Sequence, residues 1–410
     1  MKAMKEHSDF PTVQGIYNKI LAMGYEVFLA GGCVRDGILG RLPNDFDLAT
    51  SATPDQVLAL FKKTVEVGKA FGVIVVIEDG IEVEVTTFRS DGTYKDGRRP
   101  TVVEFTSAEE DAKRRDFTMN AIFYDLSNEQ VIDFVGGQED IKNKLIRAVG
   151  NPSRRFQEDH LRMLRAVRFM GQLDFKIEQF TRQAILENVA QVSSVSRERI
   201  HQELEKLITS DYSIKAIQEF KKLGFVEVLF PGQKFTFEPW IGVSATGSLQ
   251  RWFLFFNSLW DHELRRTDKM SPSQIQDLAK QIENQLSNLR FSNIEKQNLI
   301  KMLSWRVDSK LFKQKSLGEL IEISFEENQN YAFKIYAQMS LIDGIKFKKL
   351  QKRWVIYQGK KPEPILGGKD LVEDFQGPEL GKALKISYWA QLEGLVSDIA
   401  EARRFIKNRL

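Results

Sequence analysis

The 410-residue chain has a single cysteine, Cys33, so it cannot form an internal disulfide or a multi-cysteine zinc or iron–sulfur site. Cys33 itself reads as a small buried residue in a turn. Histidine is scarce too. His7, His160, His201 and His262 are scattered, with no H-E-x-x-H pattern and no close pairing. Carboxylates are therefore the natural ligands for any metal. Nowhere do about 18 apolar residues run together, which argues against a membrane-crossing helix. The start, MKAMKEHSDFPTVQG, lacks the apolar core of a secretory signal, and a cytoplasmic location is expected. A net charge of +3 is too small for a globally cationic surface, so any nucleic-acid contact must come from a local patch. The chain shows no fixed-period repeat, no low-complexity tract and no sign of an obligate protein partner.

What is present describes a globular protein: 42% hydrophobic residues, 28% charged residues and 29 phenylalanines can build real cores. The length predicts two to four units. Helical spacing over Gln14 to Met23 is followed by YEVFLAGG, which reads as a buried strand ending in a glycine turn, and then by a helix at VRDGILG. NDFDLAT reads as a short strand. TPDQVLALFKK reads as a helix with Thr53 as N-cap and Pro54 at its first position. FGVIVVIEDGIEVEVTTF predicts a hairpin turning at Asp79-Gly80. Residues 89–100, RSDGTYKDGRRP, are polar and glycine-bearing and predict a mobile loop. Ser107 with Glu110 gives a capping-box signature for a helix running into KRRDFTMNAI. From about Asn151 onward the periodicity is helical, and KKPEPILGGKD is the most linker-like stretch. The class is therefore α+β: a first part with a small mixed sheet, followed by a nearly all-α remainder.

Residues two apart on a strand project to the same side, so Asp45 and Asp47 set two carboxylates in parallel, about 7 Å apart along the backbone. Paired oxygen ligands suit Mg²⁺. A site with two such ions activates an attacking hydroxyl and stabilises a departing pyrophosphate. A third acid is expected on a neighbouring strand, where Glu82 and Glu84 share one face and are equally well oriented. Gly31 and Gly32 let backbone N–H groups approach an anion, and Arg35 can reach a phosphate. Asp116 and Asn120, four apart, share a face of the predicted helix.

In RFQEDHLRMLRAVRF, Asp159 and Arg162 are three apart and neighbours on one predicted helix face. A carboxylate only accepts hydrogen bonds and a guanidinium only donates them. Cytosine and adenine both present an exocyclic amine beside an unprotonated ring nitrogen, so such a pair fits both. Uracil and guanine present the reverse pattern and leave the charged groups unpaired, at roughly 1–3 kcal/mol each.

The ordered series LAGGCVRDGILG, NDFDLAT, EVTTFRSDGTYKDGRRP, KRRDFTMNAI, DFVGGQEDIKNKLIRAVG and RFQEDHLRMLRAVRF resembles the motif set of class II tRNA nucleotidyltransferases in the DNA polymerase β superfamily. These motifs cover about residues 25–205, with a weaker similarity at 367–384. The resemblance implies a seahorse-shaped arrangement: a catalytic head at 1–148, a base-recognising neck at 149–210, a body at 211–325 and a tRNA-binding tail at 326–410. It implies that Asp45 and Asp47 carry two Mg²⁺ ions, with Glu84 as third acid. Gly32 and Arg35 would meet the triphosphate, and Arg115, Asp116 and Asn120 the sugar and phosphates. Asp159 and Arg162 would template the base, with Arg165 and Arg168 also in the nucleotide site.

The implied reaction adds C, C and A from CTP and ATP to the tRNA 3′ acceptor end, releasing pyrophosphate. The presence of the 89–100 loop argues against CC-only addition but leaves an A-adding enzyme open. A bacterial poly(A) polymerase is a further rival. VGKAFGVIVV resembles the tRNA-enzyme version of that stretch rather than the polymerase version, and no long basic extension follows. A non-catalytic RNA-binding protein would not be expected to retain Asp45, Asp47, Arg115 and Arg162, and a small-molecule nucleotidyltransferase needs no long helical part. Charges in SVSRERIHQELEKLI are expected to stabilise structure. The aromatic run at 251–260 is expected in a core, and Lys346, Lys348, Lys349, Lys352 and Arg353 are candidate RNA contacts.

Overall fold

Turn chemistry fixes the first sheet. Asp79 and Gly80 both take positive φ (52° and 79°), the geometry a tight hairpin demands, and they join β4 (Val73–Glu78) to β5 (Ile81–Thr87). Thr53 caps the helix Pro54–Leu60 through a complete capping box with Gln56. The computed structural model describes residues 1–92, 103–240, 245, 247–308, 313–338 and 343–410. The chain divides into two compact units, Met1–Pro231 and Gly232–Leu410.

In the first unit β1 (Val27–Ala30), β2 (Asp47–Thr50), β3 (Thr64–Gly68), β4, β5, β8 (Ile122–Asp125) and β9 (Gln130–Asp133) form one sheet in the order β3-β4-β5-β2-β1-β8-β9. Only the β2–β5 pair is parallel, and it sets Asp47 directly opposite Glu84. Val83 and Val85 of β5 are buried, so Glu82 and Glu84 face the other way. Phe28, Phe88 and Phe123 pack at ring separations of 5.9, 6.0 and 6.1 Å beneath β1 and β8.

Four sequence readings need correction. The helix after Ser107 (α5, Ala108–Arg114) stops at Arg115, which is extended (φ −67°, ψ 166°), so Asp116 and Asn120 do not share a helix face. Phe117 instead bridges to Ala148, and the Thr118 N–H donates to the Arg147 carbonyl, pulling the chain out of the helix. The Ser107 cap is only half a box, because Glu110 pairs with Lys113. The loop reading for 89–100 fails at its start, where Arg89–Asp91 is a strand, β6, paired with β7 (Val103–Phe105); residues 93–102 lie outside the described ones.

The fourth correction concerns the segment expected to read the base. Helix α7 (Pro152–Glu158) ends at Asp159, which is extended, and α8 (Leu161–Leu173) begins two residues later. Asp159 therefore sits in a break, with its Oδ1 accepting from the Leu161 N–H at 3.1 Å. One small sheet interrupts the helical run: Leu145–Ile146 pairs in parallel with Lys176–Ile177. The helix Arg197–Ile208, α10, packs on α8.

Within the second unit every described regular element is helical. The aromatic helix Ser248–Leu259 is core, with Trp252, Phe253, Phe255 and Phe256 all buried. Below it the buried Asp261 carboxylate takes Arg306 at 2.8 Å and Arg265 at 2.7 Å, and Arg306 also donates to Asn257 at 3.0 Å. The stretch read as a linker is pinned inside this unit: Gln391 accepts from the Ile365 N–H and donates to the Glu363 carbonyl. Of the basic cluster, Arg353 donates to the Leu392 and Gln391 carbonyls and Lys346 to Lys315, whereas Lys348, Lys349 and Lys352 are exposed.

Candidate active site

A cavity of about 800 Å³ opens in the first unit, walled by β2, β5, the Gly31-Gly32 turn, the segment after α5, α8 and α10. Asp47 starts β2, and Asp45 lies in the bend just before it and not within the strand, with the buried Phe46 between them. Both line the cavity together with Glu84, whereas Glu82 does not. The sheet's parallel register thus separates the two glutamates that sequence alone left equivalent.

None of these three acids makes an ion pair or side-chain hydrogen bond among the described residues. Burial, then Glu84 and Asp45, push the Asp47 carboxyl up to about 7, against the pull of Arg115. Glu84 is raised by burial and by Asp45, with Arg115 and Arg89 opposing. Crowded acids without a counter-ion are what a divalent cation relieves. No three His, Cys, Asp or Glu side chains among the described residues close on one point. That donor set fits Mg²⁺, which takes one or two carboxylates and completes its shell with water and phosphate oxygens.

Beyond the acids lies an arginine wall. Gly31 holds φ 73°, and a Cβ there would meet Arg115 Nη1 at 3.2 Å, so the turn requires glycine. Arg35, on the helix Gly32–Ile38 (α3), donates to Asn120 Oδ1 at 2.6 Å and pairs with Asp36 at 2.8 Å. Fully buried Asp111 grips Arg114 at 2.6 Å and Arg115 at 3.0 Å, and Arg115 also lies over the Phe123 ring. Asp116 is reached by Arg165 through Nε (2.8 Å) and Nη2 (2.6 Å). Burial alone would raise Asp116, but the charges of Arg165 and Arg162 outweigh it and hold the carboxyl at about 2. Asp116 and Asn120 do meet, at 3.5 Å, although no helix joins them.

Asp159 and Arg162 both line the cavity, each held by a different partner. Arg199 of α10 pairs with Asp159 at 2.7 Å, and Glu158 binds both Arg162 and Arg155 at 2.8 Å. Arg162 and Arg155 also donate to the Arg114 carbonyl, capping the end of α5. Arg168 pairs with Glu203 at 2.6 Å and stacks on Phe169; burial lowers it to about 10 despite Glu203. Sequence reading missed Arg199, which lines the cavity, and Glu203, which holds the lining residue Arg168. Their signal was the four-residue spacing on one face of α10 opposite an arginine-rich helix.

Residues 27–147 match the Poly A polymerase head domain, and residues 174–236 match the probable RNA and SrmB-binding site of polymerase A. A CCA-adding enzyme of Geobacillus sp. (strain WCH70) is 47% identical over 222 residues, covering 54% of each chain. The chain thus spans about half the length of the curated relatives it matches. The crystal structure of the Bacillus stearothermophilus CCA-adding enzyme in complex with CTP superposes with a TM-score of 0.73 at 30% identity, covering 98% of this chain and 99% of that one. The Thermotoga maritima CCA-adding enzyme complexed with tRNA shares the fold, with a TM-score of 0.68 at 20% identity over 99% of this chain and 97% of that one. Fold and cavity together define a polymerase-type head joined to a helical remainder. The chain belongs to the family of CCA-adding enzymes. No described helix is long and apolar enough to cross a membrane.

Proposed function

We propose that the protein adds C, C and A to the 3′ end of tRNA from CTP and ATP without a nucleic-acid template, in the cytoplasm. The observation that carries this reading is one cavity holding the acids Asp45, Asp47 and Glu84 together with Asp159 and Arg162. In this reading Asp45 and Asp47 hold two Mg²⁺ ions, which supply charge neutralisation at the reacting phosphorus and the departing pyrophosphate. Gly32 and Arg35 bind the triphosphate, while Arg115, Asp116 and Asn120 fix sugar and phosphates. Glu84 accepts the primer hydroxyl's proton at its carboxylate; the primer oxygen bonds to the α-phosphorus, and pyrophosphate leaves with the bridging oxygen and its electron pair.

Asp159 accepts from the amine of C or A and Arg162 donates to the ring nitrogen. A carboxylate offers about four acceptor sites, so the bonds to Leu161 and Arg199 leave room for a base. Arg165 and Arg168 complete the nucleotide site. The four-part division at 148, 210 and 325 remains our reading of the chain, with the tail taken as the tRNA-binding part.

Transcripts ending before CCA, after C and after CC test this reading, each supplied with single nucleotides and Mg²⁺. All three are expected to reach a full CCA end when CTP and ATP are both present. Extension of the CC transcript alone would favour an A-adding enzyme, and runs of A would favour a poly(A) polymerase. Separately, Glu84→Gln is expected to lower kcat about 10²-fold, as loss of a positioned proton acceptor does, and Glu82→Gln less than about twofold. Equal effects would remove Glu84 from its role.

A further inference from the structure

We infer that a second, smaller cavity at the C-terminal end of α8 is the binding site through which product pyrophosphate leaves; the inference rests on the polymerising reading above. The cavity measures about 330 Å³ and shares Arg35, Asp36, Asn44, Gln172 and Lys206 with the larger one, so the two are continuous along this wall. Helix α8 acts as a ruler. Arg162 stands at its base-reading end, Arg165 and Arg168 follow, and Gln172 comes ten residues after Arg162, about 15 Å along a helix axis. That is comparable with an extended nucleoside triphosphate from base to terminal phosphate. The small cavity therefore begins where the β- and γ-phosphates end.

Its charges are arranged for a small anion. Asp36 is neutralised by Arg35 at 2.8 Å. Arg41 makes only a long bond, 3.5 Å, to the Gln172 carbonyl, and Lys206 has no ion pair or side-chain hydrogen bond among the described residues. The one other acid on the wall, Asp211, offsets only one of Arg41 and Lys206, so the wall keeps a net positive charge. Two under-used cations flanking a volume too small for an RNA backbone suit a diphosphate. When the bond between α-phosphorus and bridging oxygen breaks, pyrophosphate can move from Arg35 towards Arg41 and Lys206 without recrossing the base pocket.

The test uses the full chain, Arg41→Gln, Lys206→Gln and the double variant; both side chains are exposed, so folding, checked by melting curves, is expected to persist. Equilibrium dialysis with labelled inorganic pyrophosphate and Mg²⁺ reads binding. Pyrophosphorolysis of tRNA ending in CCA reads the KM for pyrophosphate. The double variant is expected to raise the dissociation constant and the pyrophosphate KM about tenfold, well beyond any change in the KM for CTP. Unchanged pyrophosphate binding overturns the inference, as does a parallel rise in the KM for CTP or a rise confined to the KM for tRNA. Should the wild-type chain extend no tRNA, the polymerising reading fails, while dialysis still reports on this cavity.

Discussion

Asp47→Asn is expected to lower the rate of every nucleotide addition by ~10³-fold or more, equivalent to about 4 kcal/mol of lost transition-state stabilisation. An amide keeps the shape of the side chain but cannot hold a divalent cation as an anion does. Asp47 stands in register opposite Glu84 and has Asp45 two residues away, so losing its charge removes the centre of the acid group. Single-turnover extension of a CC-ended transcript measures this, and a rate within tenfold of wild type would take Asp47 out of the metal site. The same variant carries a stability signature. In the wild-type chain the folded Asp47 carboxyl sits at about 7, above the ordinary carboxylate value, so the metal-free folded chain binds a proton that the unfolded chain gives up, whereas the asparagine has no such proton to lose. That contribution to stability is fully present below the unfolded pKa and is lost as pH rises towards 7. In chelator, the melting temperature of Asp47→Asn is therefore expected to exceed that of wild type increasingly from pH 5 to pH 8.

Asp159→Ala and Arg162→Ala are expected to cut the preference for C over U, and for A over G, by about 10–100-fold, with a smaller effect on triphosphate affinity. The reason lies in what a wrong base meets. In the proposed arrangement uracil would turn a carbonyl towards the Asp159 carboxylate, which pairs with Arg199, and an N–H towards the Arg162 guanidinium, which pairs with Glu158. Each group is already held by another partner, which limits how far it can move to find a better one. Truncating either removes the penalty for the wrong base along with the bond to the right one. Incorporation of each nucleotide measured separately decides the matter: identical spectra in variant and wild type would contradict the roles assigned. The tethers matter on the same argument, so Arg199→Ala should resemble a weaker Asp159→Ala.

Much of this arrangement was legible in the residues. Asp79-Gly80 announces its hairpin, Thr53-Pro54 its helix start, and the dense aromatic run at 251–260 its burial. What stayed illegible were interruptions with no local punctuation. Neither Arg115 nor Asp159 has glycine or proline beside it, yet the helix ends at both. At Arg115 the cause is long-range: Asp111 gathers two guanidiniums while Phe117 and Thr118 pair with the strand region around Arg147 and Ala148. At Asp159 the side chain caps the next helix and reaches Arg199, forty residues on. Helical spacing therefore gave the right neighbours for the wrong reason. Asp159 and Arg162 share a cavity because the chain breaks between their helices, and each took a partner that periodicity cannot name. Glu84 was separated from Glu82 only by the parallel pairing of β2 with β5, a non-local fact.

That same pairing governs when the chain becomes competent. Asp47 and Glu84 lie 37 positions apart and meet only when β5, having folded back on β4, docks edgewise along β2. Closing so large a segment is a late event compared with forming a hairpin or a helix turn. On that order of events the Asp79-Gly80 hairpin would form before Asp47 and Glu84 meet, and any chemistry that needs both acids would wait for the completed sheet.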